Sequence, residues 1–134
     1  MLTSIYAAFI GFLLIFLSIH TVKGRRNCCA GLGDAGDVDM QRRIRAQGNL
    51  AEYAPIFLIL LGYAEYENLP AWAIHGIGII FVSGRIMHAY SLLKAEKYDG
   101  YKLVANPIWR IRGMKCTFNC IGLLSAVVTV QYFV

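Results

Sequence analysis

Uncharged apolar stretches alternate with short polar ones along this chain. Leu2 to Ile19 runs 18 residues without a charge, about the length needed to cross a hydrocarbon core of roughly 30 Å. The stretch between Glu67 and Arg85 is a second such run, and the 19 residues after Lys115 are a third. Tyr53 to Ala64 is a fourth; it is too short to span alone, so its helix must begin further back, among charged residues. The pattern predicts four helices, from about Thr3 to Val22, Met40 to Glu65, Pro70 to Leu93 and Trp109 to the end. Asp37 or Asp39 is placed to cap the second, where acidic groups suit the positive end of a helix. Pro55 lies inside that helix and predicts a kink near Ala51, because proline lacks the backbone donor. Pro70 suits the first turn of the third. Backbone groups in lipid must be satisfied within the segment, so the helices form a bundle. The expected fold is an all-α membrane protein, a four-transmembrane-helix bundle in a single domain over residues 1–134.

Composition excludes a soluble domain: 57% of residues are hydrophobic, 16% are charged and the mean hydropathy is +0.53. The net charge of +5 points toward nucleic acid only until its distribution is considered. Lys23, Arg25, Arg26, Arg42, Arg43 and Arg45 fall between the first two apolar runs, and Lys94, Lys97, Lys102, Arg110 and Arg112 between the last two. The link "EYENLP" has two glutamates and no lysine or arginine. By the positive-inside rule both basic segments are cytoplasmic and both termini lie outside the cytoplasm. The basic balance therefore reads as topology, with no nucleic-acid partner. The first basic residue follows the first apolar run, so that run is expected to remain as an anchor and not a cleaved signal. Cys28 and Cys29 are adjacent, Cys116 and Cys120 are one turn apart, and His20, His75 and His88 are scattered. That is not a metal-ligand pattern, and no metal is expected.

The chemistry-bearing residues cluster in "RRIRAQGNLAEYAP". At roughly 100° per residue, Arg45, Asn49 and Glu52 share a sector about 60° wide, joined by Gln41, while Gln47 points to the opposite side. Arg85 and His88 lie three apart near the same end of the third helix, and Arg110 and Arg112 open the fourth. Ionisable groups in a membrane segment are costly and need partners. A structural ion pair between Glu52 and Arg85 accounts for two of them and leaves Arg45, Asn49, His88, Arg110 and Arg112 unexplained. More cations than acids gather at one level of the bundle, which suits a polar anion of modest size. Tyr53, beside Glu52, is singled out from tyrosines that otherwise read as an interfacial belt.

"RAQGNLAEYAP" resembles the signature of the MAPEG family, membrane-associated proteins of eicosanoid and glutathione metabolism: Arg-Ala-Gln-x-Asn, then Glu-Tyr and a proline. "FVSGRIMHAY" and "NPIWRIRGMKCT" resemble the family's third helix and the start of its fourth. The small bacterial branch is the nearer likeness. The resemblance implies a homotrimer in the cell inner membrane that transfers the glutathione thiol to lipophilic electrophiles, a detoxifying transferase, with peroxidase activity on lipid hydroperoxides as an extension. Glutathione is then the co-substrate, held by Arg45, Asn49, Glu52, Tyr53, Arg85 and His88. Gln47 would reach the site of the adjacent subunit. Arg110, by its spacing to Gly113 and Thr117, is the implied thiolate-stabilising residue, with Arg112 as the alternative. The likeness departs at Leu92, where strongly active members carry tyrosine. A membrane binding or structural protein of the same fold, without catalysis, is the competing reading.

Overall fold

The computed structural model describes residues 1–105 and 107–133. Four helices account for most of them: α1 (Thr3–Asn27), α2 (Val38–Tyr66), α3 (Ala71–Tyr90) and α4 (Ile108–Phe133). A π-helical turn, Ser91–Ala95, extends α3, and a small antiparallel hairpin of β1 (Tyr98–Asp99) and β2 (Lys102–Leu103) follows it. Tyr98 pairs with Leu103 and Asp99 with Lys102. Gly100 makes the turn at a φ of 57°, a left-handed value that glycine adopts without steric cost.

The helix ends follow from local chemistry. Asp37 caps α2, its carboxylate accepting from Met40 N at 2.9 Å, and Asp39 in the first turn pairs with Arg42 and Arg43. Pro70 sits just ahead of α3 in extended conformation, with φ preset for the turn. α2 continues through Pro55. The N-terminus of α1 is capped from elsewhere: Glu65, at the far end of α2, accepts from the backbone N–H of Leu2 and, at 2.8 Å, of Thr3. A carboxylate against a positive helix end is favourable, and this bond fastens α1 to α2.

α1, α3 with its π turn (to Ala95), and α4 are each long and apolar enough to cross a membrane. α2 is not among them: its first turns carry Asp39, Arg42, Arg43 and Arg45, and its remainder carries Asn49, Glu52 and Glu65 among the apolar residues. Its 29 residues still run about 43 Å at 1.5 Å per residue, the full height of the bundle. Packing centres on Phe57 of α2 and Phe81 of α3, whose rings stack with centroids 3.7 Å apart, enclosed with Leu17, Leu61 and Leu124. In lipid this burial gains little hydrophobic free energy; close packing holds the helices together instead. Two glycine contacts set the spacing. A Cβ on Gly78 would overlap the Tyr6 ring of α1, and one on Gly84 would stand 2.8 Å from Cys116 Cβ on α4. The second contact draws α3 and α4 together just below the polar end.

Candidate functional site

At the basic end of the bundle, α2, the end of α3, the hairpin and the start of α4 converge. Gln41, Arg45 and Asn49 succeed one another a turn apart on one face of α2, as helical periodicity requires. With Arg42, His88, Leu92, Tyr98, Tyr101 and Arg110 they line a cleft of about 230 Å³. The described lining residues include three arginines and no carboxylate. A wider open cavity of about 680 Å³ shares Val38, Arg42 and Tyr98 with it.

Arg85 supports the cleft from beneath. Its side chain is buried and donates from Nη1 to Asn49 Oδ1 and from Nη2 to the Gly113 carbonyl at 3.4 Å. Arg85 Nε has no acceptor among the described residues. The guanidinium also lies 5.8 Å from the centre of the Tyr53 ring, which packs edge-on against Phe118. The glycine crossing makes this possible: a Cβ on Gly113 would lie 2.9 Å from His88 N.

Arg110 is held from behind. Its Nη1 lies 3.3 Å from Glu96 Oε2 and donates to the Tyr98 hydroxyl at 3.4 Å. The Glu96 side chain is fully buried and also accepts from Ser91 Oγ at 2.8 Å and Tyr98 OH at 2.5 Å. Burial first, and then the Glu96 carboxylate, push the Tyr98 phenol above its ordinary value of 10.0, so Tyr98 stays neutral and donates. The wide π turn brings this about: Glu96 N donates back to Ser91 O at 3.0 Å, folding the chain over the end of α3.

Four of the sequence-derived candidates, Arg45, Asn49, His88 and Arg110, therefore meet at the cleft wall. Arg85 joins them through Asn49. Glu52 does not pair with Arg85, so the simple structural ion pair is overturned. Asn49 stands one turn nearer and takes the arginine, while Glu52 is more than half exposed and lies 3.8 Å from Arg45. An exposed pair at that distance is worth little, which leaves Arg45 free to engage a ligand. Gln47 is on the α1 side of α2, donating to Ser18 Oγ at 3.0 Å. Arg112 is exposed and lies over the Trp109 ring, away from the cleft. Sequence reading passed over Arg42, Glu96, Tyr98 and Tyr101. "YDGY" carried the signal for two of these, since Asp-Gly between β-formers marks a tight hairpin.

Chemically, the cleft offers guanidinium groups in a fixed array, suited to carboxylates or a thiolate. A family model described as MAPEG family matches residues 3–130. Inner membrane protein YecN of Escherichia coli strain K12 is 31% identical over 132 residues, covering 98% of this chain and 92% of that protein. The same figures hold for YecN of Escherichia coli O6:H1.

Proposed function

We propose, from the premise that this chain belongs to the MAPEG family, which includes glutathione transferases, that its basic cleft binds glutathione and promotes thiol transfer to lipophilic electrophiles. The observation that carries the reading is the lining itself: Arg42, Arg45 and Arg110 with no carboxylate among the described residues. Asp39, Glu52 and Glu96 pair with these arginines from outside the lining, so negative charge at the cleft face would come from the ligand, a tripeptide with two carboxylates. Arg45 and Asn49 would hold its charged ends, and Arg85 would keep Asn49 oriented. His88 forms part of the wall, while Glu52 and Tyr53 flank it. At about 230 Å³ the cleft is below the ~300–1,000 Å³ usual for small-molecule sites. That shortfall supports a homotrimer in which a neighbour completes the site; Gln47, bonded to Ser18 Oγ of α1, would reach the neighbour's site only by giving up that bond.

Arg110 is the residue that would act on the thiol. A free thiol has a pKa near 8.5 and reacts as its thiolate. A guanidinium within hydrogen-bond reach favours the anion, each pKa unit amounting to about 1.4 kcal/mol. The electrophile would come from the bilayer, with lipid hydroperoxides a further substrate class. In this reading α2 is a fourth span, the protein lies in the inner membrane as YecN does, and the basic loops face the cytoplasm.

Two observations favour a second reading, a membrane binding protein without turnover. Arg110 already has a carboxylate partner in Glu96, and Leu92 supplies an apolar wall where a hydroxyl is expected. Conjugation of glutathione to a chlorodinitrobenzene separates the two. Turnover by the wild type, lost in Arg110→Gln and kept in Arg112→Gln, supports the transferase. Binding without turnover in all three supports the second reading.

A further inference from the structure

A second apolar-walled cavity lies apart from the cleft. It is a groove of about 420 Å³ on another side of α2, between α1 and the end of α3. Leu13 and Phe16 of α1 form one wall, and Ile86, Ala89 and Leu93 form the other. Phe16 and Ile86 are each 52% exposed, so the groove is open along its length at the level of the hydrocarbon. Its upper rim is cationic. Arg42, Arg43 and Lys94 line it, with Asp39 as the one carboxylate and His20 beside Phe16.

The rim cations are incompletely spent. Asp39 is shared between Arg42, at 2.9 Å, and Arg43, at 3.6 Å. Arg43 turns its other nitrogen to the His20 carbonyl at 3.1 Å, and Arg42 reaches the Glu96 carbonyl at 3.1 Å. Lys94 is exposed, with no ion pair or side-chain hydrogen bond among the described residues. Arg42 Nε is enclosed without an acceptor among the described residues, an arrangement that costs free energy. Three cations against one carboxylate, above an apolar slot open to the side, complement one chemistry: an anionic head on a hydrocarbon tail. Basic pockets between transmembrane helices bind such head groups through the same forces.

We propose that this groove is a binding site for an anionic phospholipid of the surrounding leaflet. Its phosphate lies among Arg42, Arg43 and Lys94, and one acyl chain lies between α1 and α3. Arg42 and Leu92 line both this groove and the basic cleft, so the lipid sits one side chain away from the candidate site. The inference rests on the groove's own geometry and does not depend on glutathione being the cleft's ligand.

Native mass spectrometry of the full chain, released from micelles holding equal phosphatidylglycerol and phosphatidylcholine, tests it. The wild type is expected to retain one phosphatidylglycerol per chain, with at least tenfold preference over phosphatidylcholine. Lys94→Glu, an exposed position whose change leaves the bundle intact, should reduce that preference at least fivefold; Arg43→Gln with Lys94→Glu should abolish it. Unchanged thermal unfolding in phosphatidylcholine alone would show that both variants are folded. Soluble glycerol phosphate should not displace the lipid, because it lacks the tail. Equal retention of the two lipids, or preference surviving in the folded double variant, would overturn the proposal. So would a groove closed by a second copy of the chain, seen as protection of Lys94 from acylation that phosphatidylglycerol does not alter.

Discussion

Replacing Asn49 separates what holds the bundle from what the cleft binds, because two substitutions there have different consequences. Asn49 is buried and accepts from Arg85, which is itself 2% exposed and whose further hydrogen-bond partners among the described residues are a carbonyl and a thioether, both at 3.4 Å. Asn49→Ala strands a buried cation. Hydrogen bonds to charged groups contribute about 1.5–3 kcal/mol, whereas interhelical hydrogen bonds in membrane bundles average about 0.6 kcal/mol. The charged, enclosed donor places this one near 2 kcal/mol, roughly 30-fold in the folding equilibrium. For 134 residues, at roughly 2 cal/mol/K per residue, unfolding should begin about 7 °C lower. Asn49→Asp gives Arg85 a counter-ion whose attraction offsets the carboxylate's burial, so stability should stay within about 1 kcal/mol of wild type. The same carboxylate faces the cleft. Against a bound anion about 6 Å away, at an effective dielectric constant near 20, it opposes binding by about 2.8 kcal/mol, roughly a hundredfold. Thermal unfolding in detergent with and without glutathione reads both effects, since a ligand that binds only the folded state raises the midpoint. The full ligand-induced rise in the Asn49→Asp protein would refute the anion site. An Asn49→Ala protein unfolding at the wild-type temperature would refute the structural role of the Arg85 bond.

Glu96→Gln keeps shape but removes the charge from a buried group that receives Ser91, Tyr98 and Arg110. A loss of about 1–3 kcal/mol is expected, and thermal unfolding equal to wild type would contradict it. Gly84→Ala puts a Cβ 2.8 Å from Cys116 Cβ and 3.1 Å from the Gly113 carbonyl. Forcing α3 and α4 apart should cost about 1–3 kcal/mol, whereas Gly76→Ala, with nothing within 4 Å, should cost far less in the same assay. Tyr98 gives a pH effect. Its raised folded value means the unfolded chain ionises first, so its contribution is fully present below about pH 10 and fades as pH rises through the folded value. Tyr98→Phe should flatten the alkaline fall in thermal stability; an unchanged slope would exclude this source.

Much of the bundle was legible because helix periodicity and end signals are local. Apolar runs located α1, α3 and α4, Asp37 and Asp39 were the alternative caps that marked the start of α2, and Pro70 marked that of α3. Arg45, Asn49, His88 and Arg110 could be grouped because each lies near the same end of its helix, so any bundle brings them to one level. The contacts that decide what each group does were not legible. Glu65 caps a helix that begins 62 residues earlier in the chain, and Glu96 reaches Arg110 only because a π turn and a hairpin fold the segment back. Glu52 and Arg85 looked like partners by charge, yet the close approach of α3 and α4 at Gly84 and Gly113 carries Arg85 to Asn49. Rotational setting and helix spacing, which a single helix does not encode, settle such pairings.

Calorimetric titration of glutathione into the detergent-purified wild type, beside Arg45→Gln, tests the central claim most directly. The account predicts saturable binding by the wild type and at least tenfold weaker binding by the folded variant. Absence of binding heat with a wild type shown to be folded, or equal affinity in the two proteins, would contradict it.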